Sequence, residues 1–208
     1  MKRKPLDILK HNRTAGIRVA RLYSDVFSPP SVYAIFGFVI ALVELPSWKG
    51  GLQAAVFGIL ASLLPFLYIV SQMRRGKISD LHISDPRQRH IPYLLGVLGA
   101  GCGYLILRAW GSSPGLLTFV LSDMLALASL GLLNNFFLIS AHMTSITLVV
   151  LFAGITFGPT VGMGLSPLIG MTFLIRYYLR RHTVVELVAG MLAGGLIFAS
   201  LVLFGAFV

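Results

Sequence analysis

Three polar clusters interrupt an otherwise apolar chain, and they hold the residue types that handle phosphate. The first, residues 74–92, contains Lys77, Asp80, His82, Asp85, Arg87, Arg89 and His90. The second is Ile139-Ser140-Ala141-His142, and the third, residues 175–186, carries Arg176, Arg180, Arg181, His182, Thr183 and Glu186. Arginines can neutralise phosphate oxygens while one histidine attacks phosphorus and another protonates the leaving oxygen. The set therefore suggests phosphoryl transfer without a metal or other cofactor. His182 and Glu186 are four apart and share a helical face, where the carboxylate can hold the imidazole in its reactive tautomer. His142 and His182 each precede an apolar helix whose first amides favour an anion. Arg176 is six positions before His182, the wrong angle for one continuous helix. A turn is expected between them, with Arg176 ending a helix and facing back across the site.

The third cluster resembles the signature of the type 2 phosphatidic acid phosphatase superfamily, which runs Ser-Arg, five residues, His, three residues, Asp. Here the spacing is Arg176, five residues, His182, three residues, Glu186, with Ile175 in place of Ser and Glu in place of Asp. The second cluster resembles that family's Pro-Ser-Gly-His, keeping Ser140 and His142, with Ile139 and Ala141 at the other two positions. The family's first motif is Lys, six residues, Arg-Pro. Seven positions before Arg87 stands Asp80 and before Arg89 stands His82, and neither arginine is followed by Pro. The resemblance spans residues 74–200. It implies His182 as the nucleophile of a phosphohistidine intermediate, Glu186 as its orienting group and His142 as the acid for the leaving group. Arg176 and the Ser140 region would bind phosphate, with Arg87, Arg89 and Lys77 as stand-ins for the first motif. The substrate so implied is a lipid or prenyl phosphate or diphosphate. A phosphatase-like protein that binds anionic headgroups without turnover, and a lipid phosphotransferase, are the alternatives.

Those residues must be held by the apolar segments between them. Of the 208 residues, 56% are apolar and 12% charged, and the mean hydropathy is +0.85. A soluble domain of this length cannot hide so much apolar surface, and a disordered basic tail would have the opposite composition. The expected architecture is all-α, a polytopic transmembrane bundle. Seven apolar segments, about 32–45, 52–73, 91–110, 116–134, 144–157, 161–178 and 184–208, are bounded by Gly, Pro or charge. Six spans with one re-entrant pair is the competing count. Residues 31–208 read as a single transmembrane domain. Residues 1–30 read as a basic arm whose Val19, Leu22, Tyr23 and Val26 share one face of an interfacial helix. A basic tail that only sets orientation is the plainer reading of the arm. Nothing at the N-terminus reads as a cleavable signal.

The formal charge of +10 has a definite distribution. With seven spans, all three clusters and the arm share one side, which then holds every Lys and Arg except Lys49 and Arg108. Positive-inside logic makes that side cytoplasmic, with the C-terminus outside, in what is expected to be the plasma membrane. Typical members of the resembled family face the other way. Expected partners are the lipid or isoprenoid phosphate and membrane lipids, with no nucleic acid.

Plainer roles stand beside these. Thr183 to Glu186 is also a capping box, and the two roles of Glu186 can coexist. Arg180 and Arg181 suit headgroup anchoring. Asp123, within the fourth segment, suits a buried hydrogen-bonded group. Gly99 with Gly103 and Gly190 with Gly194 suit close helix packing. His82, His90, Asp80 and Asp85 are too irregularly spaced to argue a metal site, and the single cysteine, Cys102, excludes an internal disulfide.

Overall fold

Proline and capping hydroxyls set where the apolar segments begin. The computed structural model of the chain describes residues 5–6, 14–78, 80, 81, 83, 85–134, 136 and 138–206, and every regular element among them is helical. Lys2, Arg3, Lys4, Lys10, Arg13, His82 and Asn135 lie outside the described residues. The helices are α1 (Ala15–Val26), α2 (Pro29–Glu44), α3 (Trp48–Phe57), α4 (Leu64–Arg74), α5 (His90–Ala109), α6 (Pro114–Leu133), α7 (Ala141–Phe157), α8 (Pro159–Leu165), α9 (Pro167–Tyr178) and α10 (Val184–Leu203).

The residue before a proline is driven to extended backbone, and a proline opens a helix well because its missing N–H is not needed there. Ser28 accordingly sits at ψ 150° before Pro29, and α1 and α2 meet at a 49° bend. Pro65 is different, because it falls inside a helical run. Its ring would clash with the carbonyl of Ala61 in a regular helix. The wider π-helical turn Gly58–Leu63 just ahead accommodates it, and α3, this turn and α4 form one stretch of 27 residues. Ser140 caps α7, so the fifth apolar segment starts three residues earlier than its hydropathy suggests.

Among the described residues, four helical stretches are long and apolar enough to cross a membrane: Trp48–Arg74, His90–Ala109, Pro114–Leu133 and Val184–Leu203. Counting α1 and α2 together as one bent span makes five. α7, with 17 residues, rises only about 26 Å at 1.5 Å per residue, short of a ~30 Å hydrocarbon core. The sixth apolar segment is interrupted at Ser166, between α8 and α9. The chain is thus all-helical, with four or five helices able to span a bilayer.

α7 occupies the centre, packed by α2, α6, α8, α9 and α10 and buried almost all round from His142 to Ala153. A helix apolar on every face belongs in such a position. The core gathers on Phe119, fully buried, whose ring meets Tyr33, Phe36, Phe57 and Phe152 at centroid distances of 5.1–5.9 Å. At the far end of α2, Glu44 accepts hydrogen bonds from Ser113 Oγ and, at 3.2 Å, from Leu116 N, a carboxylate on the positive end of α6.

Glycines set the closest approaches. A Cβ on Gly99 would lie 2.0 Å from the Leu60 carbonyl oxygen, and one on Gly190 would lie 2.6 Å from that of Ser140. The small-residue spacings therefore serve packing inside the subunit. Gly99→Ala and Gly190→Ala should each destabilise the protein by about 1–3 kcal/mol, whereas Gly195→Ala, with open space around it, should not. Thermal unfolding in detergent measures this, and equal midpoints for all three would contradict the packing described.

Candidate functional site

The turn expected between Arg176 and His182 is a helix-ending motif that holds both residues. Arg180 adopts a left-handed φ of 56°, its N–H donates to the Tyr177 carbonyl at 2.9 Å, and Arg181 N donates to the Arg176 carbonyl at 3.1 Å. These are the two bonds of a Schellman motif, with arginine where glycine is usual. Arg176 stays on the last turn of α9, and two residues after the motif Thr183 caps α10. Thr183 Oγ1 accepts from Glu186 N, and Glu186 Oε2 accepts from Thr183 N, both at 3.3 Å. The same Oε2 accepts from His182 Nδ1 at 3.0 Å. One carboxylate oxygen thus caps the helix and fixes the imidazole, leaving His182 Nε2 as the ring's unprotonated nitrogen.

α7 and α10 start side by side. Ser140 N donates to the Glu186 carbonyl at 3.2 Å, and Thr144 Oγ1 donates to the Gly190 carbonyl at 3.1 Å. This brings His142 into the site. His142 Nε2 donates to the Ser24 carbonyl at 3.1 Å, and Arg176 Nη1 donates to Ser24 Oγ at 3.4 Å. Ser24 of α1 therefore touches both groups, a role that no spacing in the sequence signals. α1 is seated on α9 through Ile17, Ala20 and Leu179, and through Tyr23 Oη, which lies 2.9 Å from Thr172 Oγ1. Its buried face is thus Ile17, Ala20 and Ser24. Val19, Leu22 and Val26 of the expected apolar face are exposed, and Tyr23 is partly buried.

The first cluster supplies one group. Arg89 is buried and donates from Nε to the Ile83 carbonyl at 2.8 Å. Ile83 is held at φ 46°, an unusual conformation for a β-branched residue, and so aims that carbonyl. Asp80, seven positions before Arg87, pairs with Arg181 at 2.9 Å. Arg181 is thereby a buried tie between two loops rather than a headgroup anchor; Arg180 remains exposed.

A cavity of about 510 Å³ lies between these elements. Arg89, Arg176, His142 and His182 line it, with Asp25, Ser28 and Ser31 also on its wall and Asp123 and Tyr33 from the helices behind. Four of the expected site residues are therefore brought to one space. Three are not. Arg87 is exposed, with its backbone N–H on Asp85 Oδ1 at 3.0 Å, and Lys77 is exposed beyond the end of α4. Neither lines the cavity, because the 3-10 turn Pro86–Gln88 turns only Arg89 inward. Ser140 is fully buried with its hydroxyl accepting from Met143 N at 3.5 Å, so it acts as a cap and is absent from the cavity wall. Glu186 stands behind His182, on its Nδ1. Among the described residues, no three His, Cys, Asp or Glu side chains are grouped to hold a metal ion.

Burial lowers the His182 pKa from 6.5 to about 4; Arg176 and Arg89 push the same way, against the bond to Glu186. At neutral pH the imidazole is uncharged. No protein-family model matches the chain, and no curated protein or solved structure matches it significantly.

The shift has a consequence for stability. Between about pH 4 and 6.5 the unfolded chain carries a proton at this position and the folded chain does not. The stability that is full above pH 6.5 should therefore be lost as pH falls toward 4. His182→Gln removes that contribution, so its melting temperature should decline less than that of the parent between pH 7.5 and 4.5. Parallel curves would show that His182 is not depressed.

Proposed function

We propose that the chain is an integral-membrane phosphatase acting on a lipid or isoprenoid phosphate ester or diphosphate through a phosphohistidine. What carries this reading is the meeting of His142, His182, Arg176 and Arg89 around one cavity. Arg176 and Arg89 neutralise the phosphate oxygens, with Arg89 held toward them by its Nε bond to the Ile83 carbonyl. His182 Nε2 attacks phosphorus as the bond to the leaving oxygen breaks, and the imidazolium formed keeps its Nδ1 proton on Glu186. His142, which enters this step as the imidazolium, gives the leaving oxygen its Nδ1 proton and keeps its Nε2–H on the Ser24 carbonyl. A water then attacks the phosphohistidine, giving its proton back to His142 as the P–N bond breaks and phosphate leaves.

The test is phosphate release from phosphatidate and polyprenyl phosphate panels by the full chain in detergent. His182→Ala should lower turnover by about 10³-fold or more, and His142→Ala by about 10²–10⁴. The acid limb of kcat/KM should fall near pH 4, where His182 gains a proton, rather than near 6.5. No release from any substrate, or full turnover without His182, would sink the reading. A second reading, headgroup binding without turnover, is favoured by one observation: among the described Lys and Arg of the first cluster, Arg89 alone reaches the cavity. Phosphate binding without release would decide for it, and transfer to an added lipid alcohol would identify a phosphotransferase instead.

The membrane arrangement that goes with this reading has seven crossings: α2, α3 with α4, α5, α6, α7, α8 with α9, and α10. α1 lies at the cytoplasmic interface of the cell membrane with Val19, Leu22 and Val26 toward lipid, and the site opens on the same side. Exposed Trp48 and Trp110 at one set of helix ends and Tyr177 and Tyr178 at the other agree with interfacial belts. In a Cys102→Ser background, Arg180→Cys should be labelled only from the cytoplasm and Lys49→Cys only from outside. Labelling of both from one side would overturn the seven-crossing count.

A further inference from the structure

The cavity has a second polar end that phosphate chemistry does not use. Asp123 and Tyr33 both line it, and both are 3% exposed. Asp123 lies seven residues before Leu130, the last α6 residue on the wall, which is about 10 Å of helix rise deeper. The helices contribute Ala34, Gly58, Ala61, Gly96, Ala126 and Leu127 to the same wall, with the hydroxyl-bearing Ser62, Thr144 and Ser145. Tyr33 Oη has no hydrogen-bond partner. Ser122 is beside it but gives its proton to the Phe119 carbonyl, 2.6 Å away. The Asp123 carboxyl likewise has no hydrogen bond to another described residue. Two buried hydrogen-bonding groups left without partners are costly. Here both border space large enough for a ligand group.

We propose that Asp123 and Tyr33 form an inner subsite for a hydrogen-bond donor, a hydroxyl or an amine, carried by the molecule whose phosphate sits at Arg89 and Arg176. This rests on the phosphate reading given above and narrows it. The preferred substrate is an amphiphilic phosphate bearing a donor group close to its head, rather than a polyprenyl phosphate, whose hydrocarbon chain has none. Asp123 accepts from the donor, and Tyr33 can accept from it or donate to a ligand oxygen.

Titration of the full chain in lipid nanodiscs tests this with chain-matched probes: dodecyl phosphate, 1-dodecanoylglycerol 3-phosphate, 2-aminododecyl phosphate and phosphate-free 1-dodecanoylglycerol. At least one donor-bearing phosphate should bind about 10-fold more tightly than dodecyl phosphate, and the tighter of the two identifies the donor. Asp123→Ala and Tyr33→Phe should each remove most of that preference and leave dodecyl phosphate binding unchanged. Tyr33→Phe keeps the ring's packing against Phe119 and so guards against a folding defect. Equal binding of the three phosphates, or a preference that survives both substitutions, overturns the inner subsite while the phosphate site stands. Should no phosphate bind, the phosphatase reading falls and 1-dodecanoylglycerol alone decides: binding that is lost in both variants supports the subsite, and its absence overturns it.

Discussion

The structure depends on burying the polar first turns of α7 at the centre of the bundle. A helix surrounded by others can carry Ser140, His142, Thr144 and Ser145 there only if each finds a partner inside the protein. Each does: Ser140 caps the helix, His142 reaches Ser24, Thr144 reaches Gly190 and Ser145 turns back to the His142 carbonyl. The partners come from α1, α10 and α7 itself. Satisfying this one turn therefore fixes where the first and last helices sit. Gly190 and Gly194 complete the arrangement, since a side chain at either would strike α7.

The candidate site follows from that packing. α10 starts beside α7, so His182 and His142 reach the same cavity, and the Schellman turn keeps Arg176 on its wall as well. The charges are managed by pairing and by neutrality. Arg181 meets Asp80, Arg89 meets a backbone carbonyl, and burial between two arginines keeps His182 uncharged. An imidazole without a proton on Nε2, set beside guanidinium groups, is suited to attack on a centre whose negative charge those groups offset. Glu186 joins this chemistry to the fold, because the oxygen that orients His182 also caps α10.

Pro65 and the π turn ahead of it form part of the cavity wall. The π turn widens the helix at Gly58–Leu63, where Gly99 lets α5 approach the Leu60 backbone. α2 packs on α3 and on the π turn and makes little contact with α4 beyond it, so the space between α2 and α4 stays open toward the site. Small residues on that wall keep the space from filling.

The sequence by itself determined that the chain is helical and apolar enough for a bilayer, because hydropathy and the punctuation by Gly and Pro are local properties. It also determined the turn after Arg176 and the pairing of His182 with Glu186, since both rest on helical spacing. Contacts between distant segments were decided only in the tertiary structure. Ser24 reaches His142 across 118 residues and Asp80 reaches Arg181 across 101, and nothing local marks either pair. The same holds for the first cluster, where spacing could not choose among Lys77, Arg87 and Arg89. That choice came from a left-handed backbone at Ile83 and a 3-10 turn, which aim one side chain inward and leave two in solvent. Asp123 could be recognised as a buried acid from its neighbours in sequence, but its place on the same cavity as the two histidines depends on how four helices pack.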